Sequence, residues 1–214
     1  MKRVVLIGPG NIEKHFFSIL KYTPQTLDKE TDSIASALSN SECELALLPD
    51  KGISLEIAKK FKKLEGKVIA LAPISDKFPG ISHLIPYIEE KIDGKPLFDE
   101  TIDTGQWPET NQRLGLYGDI ILQLGDTPGA DGERDFAVYM YKVMKGLKQN
   151  VSQDRSTFNK ETRAGLNFPF VVIIYSPFTS AKLSPAIESH TKDYGVNLIY
   201  ASSPIDLKNK IKKI

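Results

Sequence analysis

Short apolar runs alternate with longer amphipathic segments along most of the chain. Apolar runs of four to six residues, bounded by turn residues, predict buried strands, and apolar positions three or four apart predict helices. The predicted strands are Val4 to Ile7, Leu45 to Leu48, Val68 to Leu71, Ile120 to Leu124, Phe170 to Tyr175 and Leu198 to Ala201. The helix-compatible segments are Ile12 to Leu20, Thr26 to Leu38, Ile53 to Leu64, Glu109 to Tyr117, Phe136 to Leu147, Leu183 to Tyr194 and Ile205 to Ile214.

A strand followed by a helix and another strand, with short connections, predicts a right-handed parallel crossover. The alternation therefore predicts one α/β domain over residues 1–214, with a doubly wound, mostly parallel sheet. The region from Ser75 to Trp107 is less regular and rich in Pro and Gly, and we predict edge strands there at Leu84 to Ile88 and Leu97 to Ile102.

Composition narrows the function classes. The chain has 28 basic and 27 acidic residues, and this near balance of charge does not favour binding to nucleic acid or to a membrane surface. A single cysteine, Cys43, excludes an internal disulfide and a cysteine-based zinc site. The histidines, His15, His83 and His190, show no metal-ligand spacing, so we expect no metal site. No segment has a membrane-spanning length, and we expect a soluble, cytoplasmic protein.

Glycine-bearing turns follow three of the predicted strands. A strand that runs through glycines into a helix presents free backbone N–H groups, which commonly hold phosphate. The turns are Gly8 to Asn11, Pro49 to Gly52 and Gly125 to Gly132, and their spacing matches neither Walker A nor GxGxxG. Because the carboxyl ends of parallel strands meet at one edge, the turns can converge on one crevice. An ordinary strand-to-helix turn is the alternative. The candidate ligand-binding residues here are Gly8, Gly10, Asn11, Asp50, Gly52, Gly125, Asp126, Thr127 and Gly129.

A polar segment without periodicity, Gln149 to Asn167, interrupts the pattern. A loop of this length inside a domain is usually functional or disordered. We interpret it as either a lid over the site or a solvated loop.

Three stretches carry a resemblance to a known superfamily. They are LALLPDKGISLEIAKKFKKLEGKVIALAP, ETNQRLGLYGDIILQLGDTPGADGE and VVIIYSPFTSAKLSPAIESHTKDYGVNLIYASSPIDL. Their order resembles the Rossmann-like superfamily of the lonely-guy cytokinin-activating phosphoribohydrolases, long labelled lysine decarboxylases, and the molybdenum-cofactor carrier proteins. The resemblance covers most of the chain and implies a Rossmann-like, nucleotide-binding fold and a homodimer.

The family motif P-G-G-x-G-T-x-x-E is only partly matched. Gly125, Gly129 and Glu133 stand at matching positions, whereas Asp126 and Ala130 occupy those of the second Gly and the Thr. Since that Thr would offer a hydroxyl to phosphate, and an Asp in a phosphate cradle repels it, these departures favour binding over catalysis.

The catalytic residues that the resemblance implies are Glu133, assisting departure of a base, and an Arg on the preceding helix. The expected Arg position falls near Thr110, and Arg113 lies about one turn later. Asp119 matches the Asp that opens the family's strand and joins the ligand-site candidates. Without the resemblance, Glu133 would stabilise a helix dipole and Arg113 would be a surface residue.

Three functions remain open from the sequence. The leading hypothesis is binding of a nucleotide or phosphorylated small ligand, with its phosphate at Gly125 to Gly132. A second is hydrolysis of the N-glycosidic bond of a nucleoside monophosphate by Glu133 and Arg113. A third is a carrier for a pterin-type molybdenum cofactor. The sequence does not identify a cofactor of the protein's own.

Overall fold

The central element is a seven-stranded sheet in which every pair of neighbouring strands is parallel. The computed structural model describes residues 1–78, 80–150 and 170–214. The strands are β1 (Lys2–Ile7), β2 (Cys43–Leu47), β3 (Val68–Ala72), β4 (Lys91–Ile92), β5 (Lys95–Pro96), β6 (Glu100–Asp103), β7 (Ile120–Gln123), β8 (Val171–Tyr175) and β9 (Asn197–Ala201). Their order in the large sheet is β6-β3-β2-β1-β7-β8-β9, and β4 and β5 form a separate antiparallel hairpin.

Helices connect these strands and cover both faces of the sheet. They are α1 (Pro24–Ser39), α2 (Ile53–Lys63), α3 (Ile85–Ile88), α4 (Trp107–Tyr117), α5 (Pro128–Asn150), α6 (Pro185–Asp193) and α7 (Pro204–Lys213). A π-helical turn spans Glu13–Ile19 and a 3₁₀ turn spans Ser176–Phe178. None of the helices in the described part of the chain is long and apolar enough to cross a membrane.

The alternation of side chains along the strands creates two cores, one on each face. On one face α1, α2 and α7 pack through residues such as Ile34, Phe61 and Leu207. On the other, α4 and α5 pack through Leu114 and Val138. The predicted doubly wound, Rossmann-like α/β fold in a single domain is thereby confirmed.

Local sequence explains where the helices begin. Thr23 caps α1, whose first residue is Pro24, and Gln106 with Glu109 forms a capping box at α4. Such side chains satisfy backbone N–H groups that lack an acceptor within the helix. The predicted ends of the main helices and strands lie close to the observed ones, except that α5 begins at Pro128, eight residues before the predicted Phe136.

The prediction of an edge strand at Leu84 to Ile88 was wrong. The segment is the short helix α3, in which Pro86 lies in the first turn, where its missing N–H costs nothing. The predicted edge strand Leu97 to Ile102 overlaps β6, which pairs with β3 at one end of the sheet.

The turn predicted from Gly125 to Gly132 is shorter than expected. Helix α5 already begins at Pro128, so Gly129 and Gly132 belong to the helix. Proline favours the first helical position because its φ angle is preset, and this outweighs the two glycines. Of the polar segment Gln149 to Asn167, only Gln149 and Asn150 fall in α5; the remainder lies outside the described residues.

Candidate ligand-binding site

A cavity of about 160 Å³ lies at the carboxyl end of β1, between the first turns of α2 and α5. The chain runs from β1 to β2 on one side and later returns to β7 on the other. Such a switch point leaves a crevice between the connections, and ligands of open α/β sheets bind there. The lining residues are Leu6, Ile7, Gly8, Pro9, Gly10, Leu48, Asp50, Lys51, Gly52, Ile53, Ser54, Leu114, Thr127, Gly129, Ala130 and Glu133.

All three predicted turns thus contribute to one cavity, although not through every candidate residue. Gly8 and Gly10 come from the first turn, Asp50 and Gly52 from the second, and Thr127, Gly129 and Glu133 from the third with α5; all seven line the cavity.

The first two turns pack against each other through glycine. Gly52 has φ +129° and ψ −169°, a conformation that is essentially restricted to glycine. A Cβ at this position would lie 2.4 Å from the Pro9 carbonyl oxygen. A Cβ at Gly8 would lie 2.6 Å from Cγ2 of Ile53. Small residues therefore bring the start of α2 directly against the β1 turn.

The first turn of α2 offers hydrogen-bond donors to the cavity. The Ile53 N–H donates to the Pro9 carbonyl oxygen at 3.1 Å, which fixes the helix start. The next residue, Ser54, lines the cavity, and its Oγ is buried without a hydrogen-bond partner among the described residues. Its backbone N–H, in the first turn, also has no acceptor within the helix.

Helix α5 presents a second N-terminus to the same cavity. Thr127 caps it: its Oγ1 accepts from the Ala130 N–H at 3.2 Å, and its carbonyl oxygen accepts from the Asp131 N–H at 2.8 Å. Pro128 has no N–H. The N–H of Gly129 has no acceptor within the helix because Gly129 lies in the first turn. Two helix N-termini, each with a partial positive charge, therefore line the same cavity.

A buried polar network holds the turn between β7 and α5. Gln123, fully buried at the end of β7, donates from Nε2 to the Gly125 carbonyl oxygen at 3.0 Å and to Asp131 at 2.9 Å. The guanidinium of Arg134, only 3% exposed, donates to Gln123 Oε1 at 3.0 Å and to Asp131 Oδ1 at 2.7 Å. Gly125 itself has φ +141°, and a Cβ there would lie 2.8 Å from His15 Nε2.

Glu133 lines the cavity from α5, and its carboxyl has an unusual environment. It lies in the second turn of α5, so it does not stabilise the helix dipole from the first turn as an ordinary acidic residue would. Among the described residues its carboxyl has no hydrogen-bond or ion-pair partner, and burial raises its pKa to about 7. The protonated form of the side chain therefore persists to much higher pH than in an ordinary glutamate.

Three candidates from the glycine turns, Asn11, Gly125 and Asp126, do not line the cavity. Asp126 accepts hydrogen bonds from the N–H of Ser180 at 2.5 Å and from its hydroxyl at 2.8 Å, so it ties the β7 turn to the loop after β8. It does not enter the cavity as a repelling charge. The Asn11 side chain accepts from the Lys14 N–H at 2.9 Å and begins the π-helical turn.

Asp119 lies at the amino-terminal ends of the strands, opposite the cavity. The prediction that it belongs to the ligand site is therefore corrected. It precedes β7, and its carboxylate accepts from the Arg3 N–H at 2.9 Å at the start of β1. Since the cavity lies at the carboxyl ends of these strands, Asp119 organises backbone far from it.

Arg113, on α4, is not brought to the cavity either. Its Nη1 donates to the carbonyl oxygen of Asp103 at 3.3 Å, at the end of β6. The structure therefore does not place the two candidate catalytic residues, Glu133 and Arg113, on the same cavity wall.

Lys51, Ser54 and Leu114 line the cavity although they were not among the candidate residues. A hydroxyl residue two positions after a glycine at a helix start is a recognisable signal, and Lys51 stands in the predicted turn. That the Ser54 hydroxyl lacks a partner depends on how α2 docks on β1, which no local pattern shows.

No family model matches the chain, and no curated protein matches its sequence. Among solved structures, the chain is similar to the molybdenum cofactor binding protein of the phototrophic bacterium Rippkaea orientalis, with 18% identity and a TM-score of 0.58. The match covers 99% of this chain and 96% of that one.

Two other solved structures show the same likeness. The molybdenum cofactor carrier protein of Chlamydomonas reinhardtii has 15% identity and a TM-score of 0.53, over 99% of this chain and 96% of that one. The structural genomics target TM1055 has 14% identity and a TM-score of 0.60 over the full length of both chains. At such identities the likeness shows the fold, and it confirms at that level the resemblance that the sequence indicates.

Proposed function

We propose that this protein binds a small phosphorylated ligand, with the phosphate in the cavity between α2 and α5. One observation carries the proposal: two helix N-termini meet at a cavity that also contains a buried hydroxyl, Ser54 Oγ, with no partner among the described residues.

An oxyanion would satisfy the groups that the cavity leaves unpaired. The N–H groups of Ser54 and Gly129 belong to different helices, and both helix dipoles favour negative charge there. A buried polar group without a partner costs about 1–3 kcal/mol, and a phosphate oxygen accepting from Ser54 would remove that cost. Lys51 adds a cation at the exposed rim.

The size of the cavity limits which part of a ligand enters it. Pockets that enclose a whole small molecule typically measure roughly 300–1,000 Å³, whereas this one measures about 160 Å³. The phosphate end would therefore occupy the cavity, and the rest of the ligand would extend along the carboxyl edge of the sheet.

We expect Ser54→Ala to weaken binding of inorganic phosphate and of nucleoside monophosphates about tenfold. A hydrogen bond to a charged group contributes about 1.5–3 kcal/mol, and 1.4 kcal/mol corresponds to a factor of ten. Isothermal titration calorimetry measures the dissociation constants. Ser189→Ala, on the exposed surface of α6, is the matched control and should bind as the unaltered chain does. Undetectable binding of phosphate and nucleoside monophosphates by the unaltered chain would contradict the proposal. Equal affinity of the Ser54→Ala and Ser189→Ala variants would contradict it as well.

The second candidate function is transport of a pterin-type molybdenum cofactor as cargo. It is favoured by the likeness to two solved structures, one of a molybdenum cofactor binding protein and the other of a molybdenum cofactor carrier protein. The cavity accounts only for a phosphate group, so the pterin ring would lie outside it.

We expect a phosphorylated pterin to raise the melting temperature of the protein and the same pterin without phosphate not to do so. A ligand at a hundred times its dissociation constant stabilises by about 2.7 kcal/mol. A thermal-shift comparison that includes nucleoside monophosphates ranks the two ligand classes. If nucleotides stabilise and the phosphorylated pterin does not, the carrier hypothesis is rejected while phosphate binding stands.

Hydrolysis of an N-glycosidic bond has less support, because Arg113 donates to Asp103 and does not line the cavity. Release of free base from a nucleoside monophosphate, abolished by Glu133→Ala, would restore that hypothesis. The homodimer implied by the resemblance is part of the proposal as well, and the mass in solution tests it.

A further inference from the structure

Of the described ionisable residues in the cavity wall, Asp50, Lys51 and Glu133, only Glu133 has neither a hydrogen-bond partner nor an exposed position at the rim. Asp50 accepts from the Lys51 N–H at 2.7 Å in the β2 turn, and Lys51 is exposed. Glu133 instead faces the cavity from the second turn of α5 and makes no hydrogen bond within the described part of the chain.

The surrounding charges do not neutralise a Glu133 carboxylate. From α5 itself, the guanidinium of Arg134 is already engaged with Asp131 and Asp135. The facing residue of α4 is the apolar Leu114, and the β1 turn contributes only glycine and proline. On the α2 side, Asp50 is a second negative charge, and Lys51 is a cation at the exposed rim. Among the described residues no cation pairs with Glu133, so an anion in the cavity would lie against a carboxylate without an ion-pair partner if Glu133 were ionised.

We infer that an oxyanion enters the cavity together with one proton, which is held on the Glu133 carboxyl. The proton comes from solvent, and the neutral carboxyl then donates its O–H to an anion oxygen. This inference rests on the proposed phosphate site and adds that the site binds an anion and a proton as a pair. Burial, which raises the pKa of Glu133 to about 7, is consistent with it.

Sulfate is the appropriate probe because, unlike phosphate, it has no titration of its own between pH 6 and pH 9. Calorimetric titration with sulfate at pH 8, in two buffers of different ionisation enthalpy, measures the protons taken up on binding. We expect an uptake approaching one proton at pH 8 and little at pH 6, where Glu133 is already protonated. By linkage, the dissociation constant for sulfate should rise up to tenfold per pH unit above pH 7.

Two variants identify the group that takes the proton. Glu133→Gln should bind sulfate with no proton uptake and with a dissociation constant independent of pH over this range. Asp50→Asn should retain the uptake, although its affinity for sulfate differs. Uptake that persists in Glu133→Gln, or disappears only in Asp50→Asn, would overturn the inference.

The experiments distinguish failure of the proton-uptake inference from failure of the proposed phosphate site. Binding of sulfate and phosphate without proton uptake overturns this inference and leaves the phosphate site in place. No binding of either anion by the folded protein overturns both.

Discussion

Gly52→Ala is expected to lower the free energy of unfolding by about 2–6 kcal/mol. The φ and ψ of Gly52, +129° and −169°, lie in a region that costs other residues about 1–3 kcal/mol. The new Cβ would also lie 2.4 Å from the Pro9 carbonyl oxygen and 2.7 Å from Gly10 Cα. Both are backbone atoms that cannot rotate away, and overpacking of this kind costs about 1–3 kcal/mol more. Urea denaturation should show a midpoint lower by about 1–2 M.

Gly94→Ala separates the collision from the backbone conformation. Gly94 has φ +80° at the turn between β4 and β5, and a Cβ there meets nothing within 4 Å. This control should lose only about 1 kcal/mol, the cost of placing a non-glycine residue at positive φ. Equal losses in the two variants would mean that Gly52 is not a packing contact between the turns. Residual phosphate binding by folded Gly52→Ala would show that the cavity tolerates separation of the turns.

The fold could be predicted because the central strands β1, β2, β3, β7 and β8 show their burial in local sequence. Runs such as Val171–Tyr175 are apolar at every position, as expected for strands covered on both faces, and they fall within the predicted strand. The region between β3 and α4 could not be predicted in the same way. There, one buried leucine, Leu84, precedes a helix of only four residues, too short to show a period.

The site was predicted as far as the order of elements determines it. Turns after β1, β2 and β7 had to share an edge because the strands are parallel, and the cavity lies between them. The same rule shows why Asp119 could not belong there, since it precedes its strand. The unpaired state of Ser54 and Glu133 depends on tertiary packing, so no pattern in the sequence could show it.

Glu133→Gln is expected to stabilise the ligand-free protein above pH 7 and to change little near pH 4.5. Burial raises the pKa of Glu133 to about 7 in the folded protein, from an ordinary value of 4.5. Between these values the folded state holds a proton that the unfolded state has lost. The contribution of Glu133 to the free energy of unfolding of the unaltered chain therefore falls as pH rises from 4.5 to 7 and then levels off. Glutamine, which is neutral throughout, removes this contribution.

The size of the stabilisation by Glu133→Gln follows from the difference between the two pKa values of Glu133, about 7 in the folded protein and 4.5 ordinarily. One pKa unit corresponds to about 1.4 kcal/mol, so the full shift would give about 3 kcal/mol. Because Glu133 keeps some contact with solvent, we expect about 1–3 kcal/mol between the two proteins at pH 8. Urea denaturation at pH 5 and pH 8 measures the difference, and Glu89→Gln, on the exposed surface after α3, should show no such change. A Glu133→Gln variant less stable than the unaltered chain at pH 8 would mean that the ionised carboxylate has a stabilising partner. The cavity would then already be compensated for charge, and an anion could enter it without a proton.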